Sequence, residues 1–155
     1  MQLSDGVISL RPATGAERSS IGISPPAAEA AEATGVTPDR IAAEAPIETF
    51  AIVRSADEEV VGTLGVRAEA PYLHRDQAEL TYAVDPQWRG RGLATRAVVL
   101  GCRYVAAAGL AEEVVLRIDP ANAASVAVAR RARFKYLRST DVEGEGPLDW
   151  YAQAV

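Results

Sequence analysis

The sequence contains very few residues of the kinds that form disulfides or bind transition metals. Its 155 residues include one cysteine and one histidine. A single cysteine excludes an internal disulfide. One cysteine and one histidine are too few ligands for a transition-metal cluster. Cys102 falls at helical spacing in an apolar-patterned segment, which favours packing over nucleophilic catalysis. We therefore expect no metal and a reducing, cytoplasmic location.

Long hydrophobic runs are also lacking. No apolar stretch approaches the roughly 18 residues that suggest a membrane span, and we expect no signal peptide at the start. Hydrophobic residues make up 48% and charged residues 24%, which are ordinary globular values. A chain of 155 residues can bury its own core. The sequence thus predicts one domain over residues 1–155 and no membrane partner.

Positive charge is scarce in the first half of the chain. Residues 1–80 carry 6 Arg against 13 Asp and Glu, whereas residues 81–155 carry 10 Lys and Arg against 8 acids. The basic residues form no massed run, which argues against nucleic acid as a partner. The second half suits a polyanionic ligand and the first half a cationic acceptor such as an amine. For each single residue, a solvated surface charge is the alternative.

The most informative segment joins a predicted strand to a predicted helix. The strand covers Ala78 to Val84 and ends at a turn signal, Asp85-Pro86. Apolar residues from Leu93 to Ala108 recur with helical spacing, and Gly109 is a plausible stop. The connection contains two glycines. A glycine turn that enters a helix presents free backbone N–H groups, which bind phosphate.

Three kinds of phosphate loop can be compared with this connection. A nucleoside triphosphate loop needs Lys followed by Ser or Thr after its last glycine, where this chain has Leu93-Ala94. A dinucleotide loop needs a third glycine that is missing here. Gln-x-x-Gly-x-Gly does fit, as Gln87, Gly90 and Gly92, and resembles the acetyl-coenzyme A pyrophosphate loop of the GNAT acyltransferase superfamily. An ordinary strand-to-helix turn is the alternative.

The resemblance covers nearly the whole chain. Val114–Asp119 reads as a second buried strand, followed by a short helix with Asn122 at its N-cap and by a strand from Phe134. This order is closest to the ribosomal-protein-alanine N-acetyltransferase type, although Arg133 stands where relatives carry glycine. The implied fold is α/β, with a mixed, mostly antiparallel central sheet, helices on both faces, and strands splayed by a bulge at the acetyl-CoA site.

The resemblance also implies which residues hold acetyl-CoA as co-substrate. They belong to the strand end, the loop, the start of the long helix and the following helix: Ala83, Val84, Gln87, Trp88, Arg89, Gly90, Arg91, Gly92, Leu93, Ala94, Thr95, Asn122, Ser125 and Arg130. The backbone N–H groups of Ala83 and Val84 would bind pantetheine and the thioester oxygen.

Two side chains are implied as catalytic. Glu79 corresponds to the position often proposed as general base, and strand alternation places it on the face opposite Leu80 and Tyr82. A structural ion pair is its alternative role. Ser125 is the best-placed donor to the leaving thiolate, and a helix-interior or capping hydroxyl is its alternative. His74 reads as a loop residue and a secondary base candidate.

The expected function is transfer of an acetyl group from acetyl-CoA to a primary amine, by direct attack in a ternary complex. The acceptor would be a protein N-terminal amine or a small cationic amine. A catalytically inactive acetyl-CoA-binding domain and a purely structural domain are the alternatives. Residues 23–46 predict two helices at the acceptor site. Monomer and homodimer both remain open, and strand pairing through Leu148 to Ala152 could form the dimer.

Overall fold

A computed structural model describes residues 3–16 and 48–155. The two helices predicted within residues 23–46 lie outside the described residues. In the described part, eight strands form one sheet, with two α-helices and a short 3₁₀ helix, Pro86–Trp88. The strands are β1 Leu3–Ser4, β2 Ile8–Pro12, β3 Glu48–Arg54, β4 Glu59–Ala68, β5 Gln77–Val84, β6 Glu113–Ile118, β7 Lys135–Val142 and β8 Gly146–Ala154. The helices are α1 Leu93–Ala108 and α2 Ala123–Arg131.

The sheet is mixed and mostly antiparallel, as predicted. Its strand order is β1-β2-β3-β4-β5-β6-β8-β7. Every neighbouring pair is antiparallel except β5 and β6, which run parallel. The parallel pair needs a crossover, and α1 supplies it. The parallel join therefore lies near the centre of the sheet, and the predicted phosphate loop leads from the far end of β5 into the crossover helix.

The central strands separate along their length. β5 and β6 pair only at Gln77↔Glu113, Ala78↔Val114 and Glu79↔Val115. Beyond Glu79 the rest of β5 has no partner on that side among the described strands. The predicted splay is present, but the bulge that was expected to cause it is not. The β4–β5 register runs unbroken from Gly62↔Val84 to Ala68↔Ala78, so divergence of β6 opens the gap.

Close approach of β4 and β5 at the open end depends on a glycine. A Cβ atom added to Gly62 would lie 2.1 Å from the carbonyl oxygen of Ala83. Any side chain at this position would push the end of β5 away from β4. Gly62 therefore fixes where the last residues of β5 lie relative to the gap.

Both described helices pack on the same face of the sheet. Gly101 of α1 faces the side chains of Leu64 and Leu80, and Ser125 of α2 contacts Tyr82. Leu80 and Tyr82 alternate with Glu79, so they share one face and Glu79 lies on the other. The core accordingly fills the space between this face and the helices. Neither described helix is long and apolar enough to cross a membrane.

The ends of α1 match the sequence prediction, and the end of α2 explains a departure from the family pattern. Gly109 ends α1 with φ of 65°. After α2, Arg133 adopts φ of 69°. Its N–H donates to the Arg130 carbonyl at 3.0 Å, and the Phe134 N–H donates to the Ala129 carbonyl at 2.9 Å. These are the bonds of a glycine-type helix stop, so the turn keeps its geometry although arginine replaces glycine.

The closing strand is not at the edge of the sheet. β8 lies between β6 and β7, paired with both. The expectation that Leu148 to Ala152 could pair across a two-fold axis is therefore wrong, because the hydrogen-bonding groups of this strand are already used within the sheet. The free edges among the described strands belong to β1 and β7.

Candidate active site

A cavity of about 550 Å³ lies where β5 separates from β6. The strand end, the loop, the first turn of α1 and one side of α2 enclose it. Its lining residues are Tyr82, Ala83, Val84, Trp88, Arg89, Gly90, Gly92, Leu93, Ala94, Thr95, Asn122, Ala124, Ser125, Ala127, Val128 and Arg131. The fold thus brings together segments that are up to about fifty residues apart in the chain.

The loop before α1 has the geometry of an anion-binding turn. Gly90 and Gly92 have φ of 75° and 76°, with no atom within 4 Å of the position of an added Cβ. Gly92 is the N-cap of α1, no side chain caps this end, and the first turn has no acid. The N–H groups of Leu93, Ala94 and Thr95 therefore point out of the helix start without intrahelical partners. They can donate to an anion there.

Arginines flank this loop in different ways. The Arg89 Nε donates to the Val84 carbonyl at 3.2 Å, which ties the loop to the strand end. The Arg91 guanidinium stacks on the Trp88 ring at 5.0 Å, and Arg54 stacks on the same ring at 4.8 Å. Trp88 thereby fixes the position of Arg91 just outside the cavity lining.

The start of α2 brings polar groups to the inner wall. The Asn122 side chain accepts a hydrogen bond from the Ser125 N–H at 3.1 Å and caps the helix. The Ser125 hydroxyl accepts a hydrogen bond from the Tyr82 hydroxyl at 3.0 Å. Ser125 is 3% exposed and Tyr82 is 7% exposed. Two hydroxyl groups and a capping amide therefore line a largely apolar wall.

Comparison with known protein families shows which family the chain belongs to. A family model described as Acetyltransferase (GNAT) domain matches residues 8–135. The chain belongs to the GNAT family. It is a GNAT N-acetyltransferase, and the matched range includes the strand end, the loop and α2. No curated protein sequence matches this chain.

Solved GNAT structures share this fold at low sequence identity. A ribosomal-protein-S5-alanine acetyltransferase from Vibrio fischeri is 13% identical, with 99% of this chain and 96% of that chain covered and a TM-score of 0.72. An aminoglycoside acetyltransferase in complex with coenzyme A is 13% identical, with 95% and 94% covered and a TM-score of 0.76. A GNAT acetyltransferase from Bacillus anthracis is 14% identical, with 100% and 98% covered and a TM-score of 0.70. At these identities the likeness concerns the fold.

Most of the coenzyme residues predicted for this GNAT chain line the cavity. Those that do are Ala83, Val84, Trp88, Arg89, Gly90, Gly92, Leu93, Ala94, Thr95, Asn122 and Ser125. Gln87, Arg91 and Arg130 are exposed and are not among the lining residues. Arg131 lines the cavity instead of Arg130, because consecutive residues of a helix point about 100° apart.

The backbone N–H groups of Ala83 and Val84 point in opposite directions. The Asp85 N–H donates to the Val61 carbonyl of β4 at 2.9 Å. Because N–H direction alternates along a strand, Ala83 also faces β4 and Val84 faces the gap. The expected pair of donors is thus corrected to one: the N–H of Val84 faces the gap, and the N–H of Ala83 belongs to the β4–β5 ladder.

Glu79 lies at the apex of the splay, on the face away from the helices. Its Oε2 accepts from the Arg117 Nε at 2.7 Å, and its Oε1 lies 3.6 Å from the Arg67 Nη1. The Tyr72 hydroxyl donates to Oε1 at 2.5 Å. Burial and the Glu79 carboxylate raise the pKa of Tyr72, so its hydroxyl stays protonated and donates. These contacts fit the ion-pair role weighed for Glu79, and its role as general base stays a prediction.

Cys102, His74 and Arg96 were also considered from the sequence, and none of them is among the residues that line the cavity. Cys102 is 6% exposed, and burial raises the pKa of its thiol to about 12. A neutral buried thiol is a packing group. His74 is exposed in the loop before β5, where its backbone N–H donates to the side-chain oxygen of Gln77. Arg96, counted among the basic residues of the second half, pairs with Asp5 at 3.0 Å.

Tyr82 is the lining residue of β5 that sequence reasoning missed. Alternation placed it on the face opposite Glu79, but nothing in the local pattern showed that this face meets the start of α2. The signal lay in combining two segments: a tyrosine on the helix-facing side of the strand before the loop, and a serine in the first turn of the next helix.

Proposed function

We propose that this GNAT enzyme transfers an acetyl group from acetyl-CoA to a primary amine by direct attack in a ternary complex. The observation that carries the proposal is the cavity at the splay, because it joins an uncapped helix start with two positive-φ glycines to the part of β5 that no described strand pairs with on the side of β6. The helix start suits a pyrophosphate, and the strand edge suits the amide groups of a pantetheine arm.

The residues of the cavity fit acetyl-CoA along its length. The N–H groups of Leu93, Ala94 and Thr95 would hold the pyrophosphate oxygens. Open space beside Gly90 and Gly92 lets a ligand approach the backbone closely. Arg131 lines the far wall and would pair with a phosphate group. A coenzyme thioester supplies the activated acetyl group when bound.

At the reacting end, the chain supplies hydrogen-bond donors. The Val84 N–H would stabilise negative charge that develops on the thioester oxygen. The Ser125 hydroxyl would donate to the departing sulfur. Cys102 is buried in α1 and is not among the cavity-lining residues, which supports direct transfer to the amine over an acyl-cysteine route.

The amine must lose a proton before it attacks. Glu79 lies at the splay apex on the side of the sheet away from the coenzyme cavity, from which an acceptor could enter. We retain it as the candidate base, acting through a water molecule.

The acceptor class rests on relatives of the same fold. Among the similar structures are an aminoglycoside acetyltransferase bound to ribostamycin and coenzyme A, and an enzyme that modifies the N-terminal serine of a ribosomal protein. Both modify amines. We propose a protein N-terminal amine or a small cationic amine as acceptor for this chain, in keeping with its acidic first half.

Calorimetric titration with acetyl-CoA tests the coenzyme site. The parent should bind with micromolar affinity, about −8 kcal/mol, and Gly90→Glu should abolish binding because it places a carboxylate against the phosphates. Gly109→Glu is the matched control: Gly109 also has positive φ and open surroundings but ends α1 far from the loop, so this variant should bind as the parent does.

Turnover separates the enzyme from a non-catalytic coenzyme-binding domain. The parent should release free coenzyme A thiol faster with an amine acceptor than without one. Binding without amine-dependent release over a panel of peptides and aminoglycosides would favour the non-catalytic domain. Absence of acetyl-CoA binding by the folded parent would overturn the acetyl-transfer proposal itself.

A further inference from the structure

Tyr82 and Ser125 form a buried hydroxyl pair in the wall of the cavity. They come from β5 and α2, 43 positions apart in the chain, and their oxygens lie 3.0 Å apart with Tyr82 as donor. Both residues line the cavity. A phenylalanine would fill the same apolar space as Tyr82, so packing alone does not require this phenol. Its hydroxyl contributes one specific contact, to Ser125.

That contact determines what the Ser125 proton can do. A serine hydroxyl has one proton and two acceptor lone pairs. Because Tyr82 donates to the oxygen, the Ser125 proton must point to another acceptor. A hydroxyl that accepts a hydrogen bond also becomes a stronger donor, since bonds in a chain polarise one another. Because Ser125 lines the cavity, its proton is within reach of an acceptor bound there.

We propose that Tyr82 is a positioning residue that orients the Ser125 hydroxyl toward the coenzyme sulfur and strengthens its donation to the leaving thiolate. The inference rests on the proposed function, because it needs a coenzyme sulfur at this wall. No proton leaves Tyr82 in this arrangement: its phenol stays intact, and the thioester carbon–sulfur bond breaks while Ser125 donates a hydrogen bond to the sulfur.

Burial keeps the phenol in the form that can donate. Desolvation raises the pKa of Tyr82, which the bond to Ser125 only partly offsets. The neutral form of a tyrosine is the donating form. Tyr82 therefore remains a donor throughout the pH range in which the thiol of bound coenzyme A titrates, near its ordinary value of about 8.5 for a free thiol.

The pKa of that bound thiol gives a direct test that needs no acceptor. Free coenzyme A is added at saturation to the full chain, and thiolate absorbance is followed against pH. A donor aimed at the sulfur should lower the thiol pKa relative to free coenzyme A. Tyr82→Phe should raise it again by about one pH unit, as expected when a hydrogen bond to a charged group weakens. With acetyl-CoA and an amine, kcat should fall about tenfold while KM for acetyl-CoA stays nearly constant.

Three further variants separate positioning from general damage. Tyr136→Phe is the matched control, because Tyr136 is 59% exposed and its hydroxyl bonds to Ser139 in β7. Coenzyme A bound to this variant should titrate as in the parent. Ser125→Ala should raise the thiol pKa, and adding Tyr82→Phe to Ser125→Ala should change it no further, because Tyr82 acts through Ser125.

The outcomes separate the two proposals. A parent that does not bind coenzyme A overturns both of them. A parent that binds coenzyme A, with an unchanged thiol pKa in Tyr82→Phe, overturns the role of Tyr82 and leaves acetyl transfer standing. Where Tyr82→Phe fails to fold, 3-fluorotyrosine in place of Tyr82 keeps the hydroxyl and makes it a stronger donor. The thiol pKa should then fall below the parent value, and an unchanged value overturns the inference.

Discussion

At the residue scale, the fully buried carboxylate of Glu79 has two competing roles that one substitution can separate. Its oxygens contact Arg117, Arg67 and Tyr72, and Arg117 also contacts Glu145 at 3.2 Å. Two guanidinium groups and two carboxylates balance in charge here. Removing one partner of such a cluster leaves a buried charge uncompensated, which is strongly destabilising.

We therefore expect Glu79→Gln to lower the free energy of unfolding by about 3–5 kcal/mol, measured by urea denaturation. Glu113→Gln is the control, since Glu113 lies on the same face and its side-chain oxygen accepts a hydrogen bond from the neutral amide of Gln77 at 2.8 Å. A glutamine oxygen can still accept this bond, so about 1 kcal/mol or less is expected there. If Glu79 is only a base, Glu79→Gln should instead unfold like the parent and lose activity across the pH range.

Some residues of the site could be predicted from the sequence and others could not, for physical reasons. The glycines of the loop were found because positive φ and anion binding are local demands that leave a local pattern. Tyr82 was missed, and Arg130 was chosen over Arg131, because both depend on which face of a short helix meets the sheet. Gln87 fits the motif and yet lies exposed. Motif membership therefore does not place a side chain in the cavity.

At the element scale, helix α2 keeps its closing turn in spite of an unsuited residue. Arg133 holds φ of 69°, in the left-handed region where a side chain costs about 1–2 kcal/mol. The turn persists because Arg133 and Phe134 both donate to carbonyls of α2, and Phe134 is buried at 5% exposure. The packing of Phe134 thus holds the backbone of Arg133 in the left-handed conformation.

Arg133→Gly should consequently stabilise the protein. We expect a gain of about 1 kcal/mol, which thermal unfolding would register as a rise of several degrees. The gain is partly offset because glycine adds freedom to the unfolded chain. Arg131→Gly is a useful comparison, since Arg131 is the last residue of α2 and has helical φ, so that glycine there should destabilise by up to about 1 kcal/mol. Equal effects at both positions would contradict the strain at Arg133.

At the scale of the whole molecule, the sheet is two antiparallel parts that share a short parallel join. The first part ends with β5 and the second begins with β6, and three residue pairs connect them. Strand existence was predictable from apolar runs, but strand order was not, because pairing between distant segments leaves no local signal. That is why the closing strand was placed at an edge although it lies inside the sheet.

The split sheet predicts how single amides of β5 exchange with solvent. The Val84 N–H faces the gap, and the Ala83 N–H faces β4, as the bond from the Asp85 N–H to the Val61 carbonyl requires. In residue-resolved hydrogen exchange without ligand, Val84 should exchange much faster than Ala83, because no described strand pairs with the open edge. Saturating coenzyme A should slow exchange at Val84 strongly and at Ala83 little. Equal protection of the two amides in the free protein would mean that β6 closes on β5, and then the cavity could not admit a pantetheine arm between them.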